Sequence, residues 1–146
     1  MEGSEIRLKK IHPNAELPKR ATSGSSGFDL KSVEDADIPS GGWSVIRTGL
    51  VMEMRTGLEA QIRSRSGLAA KKGLFVLNSP GTIDSDYRGE ICVILANISK
   101  ETGHIKRGDR IAQMVISRVE QPVFELVSEL EDTQRGEGGF GSTGTD

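Results

Sequence analysis

Glycine and other turn residues cut this chain into short apolar stretches, and that punctuation limits the folds open to it more than any other feature. Eighteen of the 146 residues are glycine, well above the usual share. Between the breaks, Leu58, Ala60 and Ile62 alternate with Glu59, Gln61 and Arg63. Period two predicts a strand with one buried face. Val45, Ile46, Leu50, Val51, Met52 and Met54 predict another strand, or a pair, after the Gly41-Gly42 turn. Leu74–Leu77 and Cys92–Ala96 are continuous apolar runs, the pattern of strands buried on both faces. Ile111–Ile116 is similar, interrupted by Gln113. Helix is expected only over Ser66–Lys72, stopped by Gly73. Many short strands, glycine turns and one short helix predict an all-β fold, a sandwich or jelly-roll-like barrel. From about Asp132 the character changes. Thr133–Asp146 holds five glycines, one aromatic and almost no aliphatic residues, too little apolar surface to hold itself in place. The expected organisation is a barrel domain over 1–131 and a flexible tail over 132–146.

Composition narrows the function. The chain is 35% hydrophobic and 27% charged, with net charge −2, so a general nucleic-acid surface, which needs a basic face, is not expected. A small phosphate site needs only a few donors and stays open. Cys92 is the single cysteine, and His12 and His104 lack ligand spacing. An internal disulfide is therefore excluded and a His/Cys metal cage is not expected. Met1–Lys10 has no apolar h-region, and no apolar run approaches a membrane span. A reducing, cytoplasm-like compartment is the simplest expectation, with nucleus or organelle left open.

Five segments carry chemical side chains. In Asn78-Ser79-Pro80-Gly81-Thr82-Ile83-Asp84-Ser85-Asp86-Tyr87-Arg88-Gly89, two aspartates, an aromatic and an arginine follow a Pro-Gly turn. Asp-x-Asp in a turn usually serves its own backbone; between two apolar strands it can also supply a base that takes a proton from water. Arg63-Ser64-Arg65-Ser66-Gly67-Leu68 opens the predicted helix. Amides, a hydroxyl and arginines there suit a phosphate, and an N-cap serine with solvated arginines is the plain alternative. In Gly108-Asp109-Arg110-Ile111-Ala112-Gln113, the polar Gln113 inside an apolar strand needs a buried partner or a ligand. Gly24-Ser25-Ser26-Gly27-Phe28-Asp29-Leu30 is a turn entering a strand that contains an aspartate. The tail, Arg135 to Gly144, spaces an arginine, an aromatic and hydroxyls with glycines, the parts needed to close over a nucleotide.

In this order and at these separations, the five segments resemble the five motifs of the trimeric dUTPase family, from about Ala21 to Gly144. The resemblance implies a jelly-roll-like barrel that forms a homotrimer, with three active sites between subunits, each completed by a neighbour's tail. It implies hydrolysis of dUTP to dUMP and pyrophosphate, which keeps uracil out of DNA and supplies dUMP for dTTP synthesis. By that resemblance Asp84 is the base for the water attacking the α-phosphorus, and Gln113 lies near the α-phosphate. Mg2+ is held mainly by the triphosphate, with Asp29 reaching it through water. Arg65, Ser66 and Gly67 correspond to the phosphate-contacting segment. Asn78 and backbone groups of Gly81, Thr82, Ile83 and Cys92 correspond to a hairpin that reads uracil. Tyr87 lies under the deoxyribose and excludes a 2′-hydroxyl. From the tail, Phe140 stacks on the base, and Arg135, Gly141, Ser142 and Thr143 contact substrate. The related dCTP deaminases would need a glutamate shuttle at the Asp84 motif and lack this tail. A non-catalytic nucleotide-binding protein on the same barrel would have lost the base or the tail.

Overall fold

A computed structural model describes residues 6–145. Residues 1–5 of the expected barrel domain and residue 146 of the expected tail lie outside the described residues. Alternation sets the first layer. Along β5 (Leu58–Arg63), Leu58, Ala60 and Ile62 are buried while Glu59, Gln61 and Arg63 face outward, as period two requires. Its neighbour β10 (Arg110–Arg118) pairs antiparallel with it and with β2 (Phe28–Lys31) on the other side. β7 (Gly81–Ile83) closes the row, giving a sheet ordered β2-β10-β5-β7.

The second sheet is built on β4 (Trp43–Glu53), one long strand rather than two. It pairs with β1 (Arg7–Lys10) and with β8 (Glu90–Asn97), and β8 in turn pairs with β6 (Leu74–Val76). A third, two-stranded sheet joins β3 (Ala36–Ile38) to β9 (Gly103–Ile105). Leu30, Ile46, Leu50, Val76, Val93, Leu95, Ile111 and Met114 fill one core between the two larger sheets. Asn97, the largest of three buried polar residues with Ser32 and Thr48, is fully bonded. Its amide donates to the Ile38 and Glu101 carbonyls at 2.9 and 2.7 Å, and its oxygen accepts from Ser99. Among the described residues the chain is thus nearly all β, with ten strands and one helix.

That helix, α1 (Ser66–Lys72), ends where expected. Gly73 takes a left-handed φ of 64° and its amide bonds back to Ala69, the usual glycine stop. Its start differs from an N-cap serine: Arg65 occupies the cap position without a side-chain cap bond, and Ser66 is the first helical residue. Two further expectations need correction. In β8, Val93 and Leu95 are buried but Cys92 and Ile94 are only half-buried, and Leu77 beyond β6 is exposed. One face of these runs enters the core. The other joins Trp43 and Val45 of β4 on an apolar outer face.

Hydrogen-bonded strand ends at Arg118, and residues 119–145 contain no strand or helix. Val123, Phe124, Leu126 and Leu130 lie almost wholly exposed on this arm. No helix among the described residues is long and apolar enough to cross a membrane.

Candidate active site

Register aligns the polar side chains of the β2-β10-β5-β7 sheet into rows on its outer face. Gln113 lies opposite Asp29 on one side and Arg63 on the other. Two residues along, Gln61 lies opposite Thr82, and Ala60 opposite Ile83 brings Glu59 and Asp84 to one end. Because side chains alternate across a strand, Asp29, Gln113 and Arg63 share the face that Leu30, Met114 and Ile62 do not use.

One end of this face is a cation-rich cluster. The Asp29 carboxylate sits 3.7 Å from Arg65 Nε and 3.5 Å from Arg110 Nη1. Arg65 also donates to the Arg110 carbonyl at 3.1 Å, which holds the loop before α1 against β10. Gln113 donates from its amide to the Ser64 carbonyl at 3.0 Å. This bond answers the polar interruption in β10, and it leaves the Gln113 oxygen turned toward Gly27. A Cβ on Gly27 would overlap that oxygen, so glycine here makes room for the glutamine. Lys19, Arg20, Lys31 and Arg110 rim a cleft of about 350 Å³ that includes Asp29. Ser66 and Gly67 stand exposed beside it at the start of α1.

Asp84 lies elsewhere. It is exposed in a cleft of about 470 Å³ lined by Thr56, Leu58, Glu59, Ser85, Asp86, Val119 and Gln121. Five residues lie between Glu59 and Arg65, six steps of chain or roughly 20 Å at the strand rise. Within one chain, therefore, Asp84 is not brought together with Asp29, Arg65 and Gln113. A relay of bonds runs between the two ends along β5: Arg63 donates to Gln61 at 2.7 Å, and Gln61 donates to Glu59 at 2.6 Å.

The expected base-reading segment departs from a simple hairpin. β7 bonds to β5 in one sheet, whereas β8 bonds to β4 and β6 in the other. Residues 84–89 form the crossing between sheets. Asn78 is exposed, and its amide packs against Gly81, where a Cβ would come within 3.3 Å of it. Tyr87 donates its hydroxyl to the Glu90 carbonyl at 3.0 Å, and its phenol end packs against Gly89 where a Cβ would stand. Cys92 is half-buried, with its thiol pushed up to about 11 by burial and by the neighbouring Glu90 carboxylate. At working pH it is a neutral thiol beside the segment.

In the tail, Arg135 donates to the Gly138 carbonyl at 2.7 Å, and short turns continue through Ser142. Phe140 is fully exposed at φ 53°, followed by Gly141 at 84°. The tail lines a cleft of its own, from Gln134 through Thr143, apart from both ends of the sheet. Sequence reasoning passed over Arg110, Gly27 and Glu90. Arg110 and Gly27 sit inside segments already singled out and Glu90 directly follows one. A charged or side-chain-free residue close to a candidate site residue was the available signal. Among the described residues, no group of three or more His, Cys, Asp or Glu side chains could hold a metal ion.

A sequence model of the dUTPase family matches residues 13–144. The chain is 54% identical over 144 residues to the deoxyuridine 5′-triphosphate nucleotidohydrolase of Helicobacter hepaticus, covering 99% of this chain and 91% of that one. Its similarity to the enzyme of the same name from Wolinella succinogenes is 54% over 140 residues, 96% of this chain and 94% of the other. Among solved structures, the dUTPase of Staphylococcus bacteriophage 80alpha with dUPNHPP has a TM-score of 0.89 and 28% identity, covering 97% of this chain and 99% of its own.

Proposed function

The chain belongs to the dUTPase family, and from that premise we propose that it hydrolyses dUTP to dUMP and pyrophosphate at sites assembled from several copies. One observation carries the shared site. The aspartate suited to activate water lies beside Glu59 at one end of β5. The arginine cluster suited to phosphate lies past its other end, roughly 20 Å away at the strand rise. A triphosphate cannot engage both within one chain, whereas a neighbouring copy can present its cation-rich end to this copy's Asp84. Exposed apolar surface supports the same assembly: Trp43 and Val45 on β4, Leu77 beyond β6, and Val123, Phe124 and Leu126 on the arm. Apolar patches of this kind mark contact surfaces, and a closed ring of three gives each copy the same two neighbours.

In the reaction, water attacks the α-phosphorus in line with the oxygen that leaves. Asp84 accepts the proton as the new bond forms, and the bond to the bridging oxygen breaks to release pyrophosphate. Arg65 and the Ser66 hydroxyl hold the phosphate chain in register, and Gln113 orients the α-phosphate and the water. Asp29 is already flanked by two guanidiniums, and Glu16, the other carboxylate of the cleft, is taken by Lys31. This donor set fits Mg2+ that would arrive on the triphosphate, with Asp29 reaching it through water. When bound, that ion neutralises charge developing on the phosphate oxygens.

Selectivity follows from fixed polarity. Asn78 and main-chain groups from Gly81 to Ile83, with the Cys92 backbone, present donors and acceptors to the uracil edge. Uracil offers an acceptor at O4 and a donor at N3, and cytosine reverses both. Backbone groups cannot exchange roles, so dCTP leaves buried groups unpaired. Tyr87 packs under the deoxyribose, and Phe140 brings an aromatic face onto the base while Arg135, Gly141, Ser142 and Thr143 close over the phosphates. The test is pyrophosphate release with Mg2+ from dUTP beside dCTP, dTTP and UTP. Release from dUTP alone is expected. Ammonia from dCTP, or binding of dUTP without turnover, would replace this reading with a deaminase or a binding protein.

A further inference from the structure

The ladder between β4 and β8 is interrupted beside Tyr87. Arg47 pairs with Cys92 and Val51 with Glu90, so Thr48, Gly49 and Leu50 stand opposite Ile91 alone. A bulge of this kind removes the regular backbone bonds that would otherwise fix the partner strand. Side chains replace them. Thr48 donates its hydroxyl to the Ile91 carbonyl at 2.5 Å. The Glu90 carboxylate accepts from Arg47 Nε at 3.0 and 3.1 Å and from the Gly49 amide at 3.0 Å. Gly49 itself cannot be replaced without strain: its φ is 68°, and a Cβ there would meet His12, Ala15 and Val33.

What Glu90 holds is the seat of the tyrosine. The Tyr87 hydroxyl donates to the Glu90 main-chain oxygen, and the phenol end packs against Gly89. The phenol is thereby tied to the Glu90 backbone, which is held by its pairing with Val51 and, across the bulge, by its own carboxylate. We propose that Glu90, clamped to β4 by Arg47 and the Gly49 amide, is a positioning residue that sets the Tyr87 phenol and so the discrimination between a 2′-deoxyribose and a ribose. This rests on the dUTP-hydrolysing reading above. Glu90 touches no substrate in this scheme; it acts through the tyrosine.

A double-mutant cycle tests the link. In Glu90→Gln, the ratio of kcat/KM for dUTP to that for UTP is expected to fall about tenfold, the scale of one displaced polar contact. The loss should appear mainly as a raised KM for dUTP, with kcat little changed. Tyr87→Phe cuts the same connection at its other end. Glu90→Gln added to Tyr87→Phe should therefore cost no further discrimination. Arg47→Lys, which keeps the charge but removes the Nε donor shared by both Glu90 oxygens, carries the same test if Glu90→Gln does not fold. Unchanged discrimination in the folded single variants overturns the proposal, as do losses that multiply in the double variant. A wild-type protein that cleaves dUTP and UTP alike, or neither, overturns the underlying reading as well.

Discussion

Asp84 and Cys92 stand near each other in sequence but present opposite chemistry. Asp84 is exposed at the end of the β5–β7 row, in an open cleft, where a water can reach it. Replacing it with asparagine keeps the shape and removes the base. Asp84→Asn is expected to lower kcat by about two to four orders of magnitude with dUTP binding retained, measured by turnover and by calorimetric titration. A parallel loss of binding would assign Asp84 to structure instead. Cys92, by contrast, is held as a neutral thiol, raised to about 11 first by burial and then by Glu90. A group whose folded pKa lies above its unfolded value contributes stability below the unfolded pKa and loses it as pH rises through the folded one. Between about pH 9 and 11 the wild-type chain should therefore lose stability that Cys92→Ser keeps. Parallel denaturation curves across that range would contradict the assignment. At this scale the sequence was informative wherever chemistry breaks pattern. Gln113 stood out as a polar break in an apolar strand, and the structure gives its amide the Ser64 carbonyl. The aspartates after the Pro-Gly turn stood out too, and Asp84 is exposed in a cleft. Arg110, Gly27 and Glu90 did not stand out, because their roles depend on which strand lies alongside.

The elements show where local pattern stops being enough. Alternation over Leu58–Arg63 and the Gly73 stop of α1 were legible because both are set by neighbours in sequence. The apolar runs of β6 and β8 were misread as buried on both faces. An apolar residue reads the same whether it faces the core or a surface that another copy would cover, as Cys92, Ile94 and Leu77 do under the assembly proposed here. Pairing is equally non-local: nothing in 78–92 says that β7 joins β5 while β8 joins β4. Composition points to a tail from about Asp132, whereas strand already ends at Arg118. The exposed Phe140 and the Arg135-to-Gly138 turn make few contacts that the barrel would miss. A chain ending before Arg135 is thus expected to keep its melting temperature and assembly while losing most turnover of dUTP. Dissociation of the shortened chain, read by light scattering, would make the tail a structural strap.

Seen whole, one chain carries two candidate half-sites on one sheet under the function proposed above. The cation cluster at Asp29, Arg65 and Arg110 and the base at Asp84 face the same side of β2-β10-β5-β7 but stand at opposite ends. Apolar side chains are left uncovered on the outer sheet face and along the arm. The proposed ring of copies accounts for both, each copy lending its cation-rich end to a neighbour's Asp84. The most direct measurement is complementation: Asp84→Asn and Arg65→Ala chains, each nearly inactive alone, are co-expressed in equal amounts and assayed with dUTP. If every site takes Asp84 from one copy and Arg65 from another, random mixing restores about a quarter of wild-type activity. A mixture no more active than its parents would place both residues in one subunit's site and contradict the account.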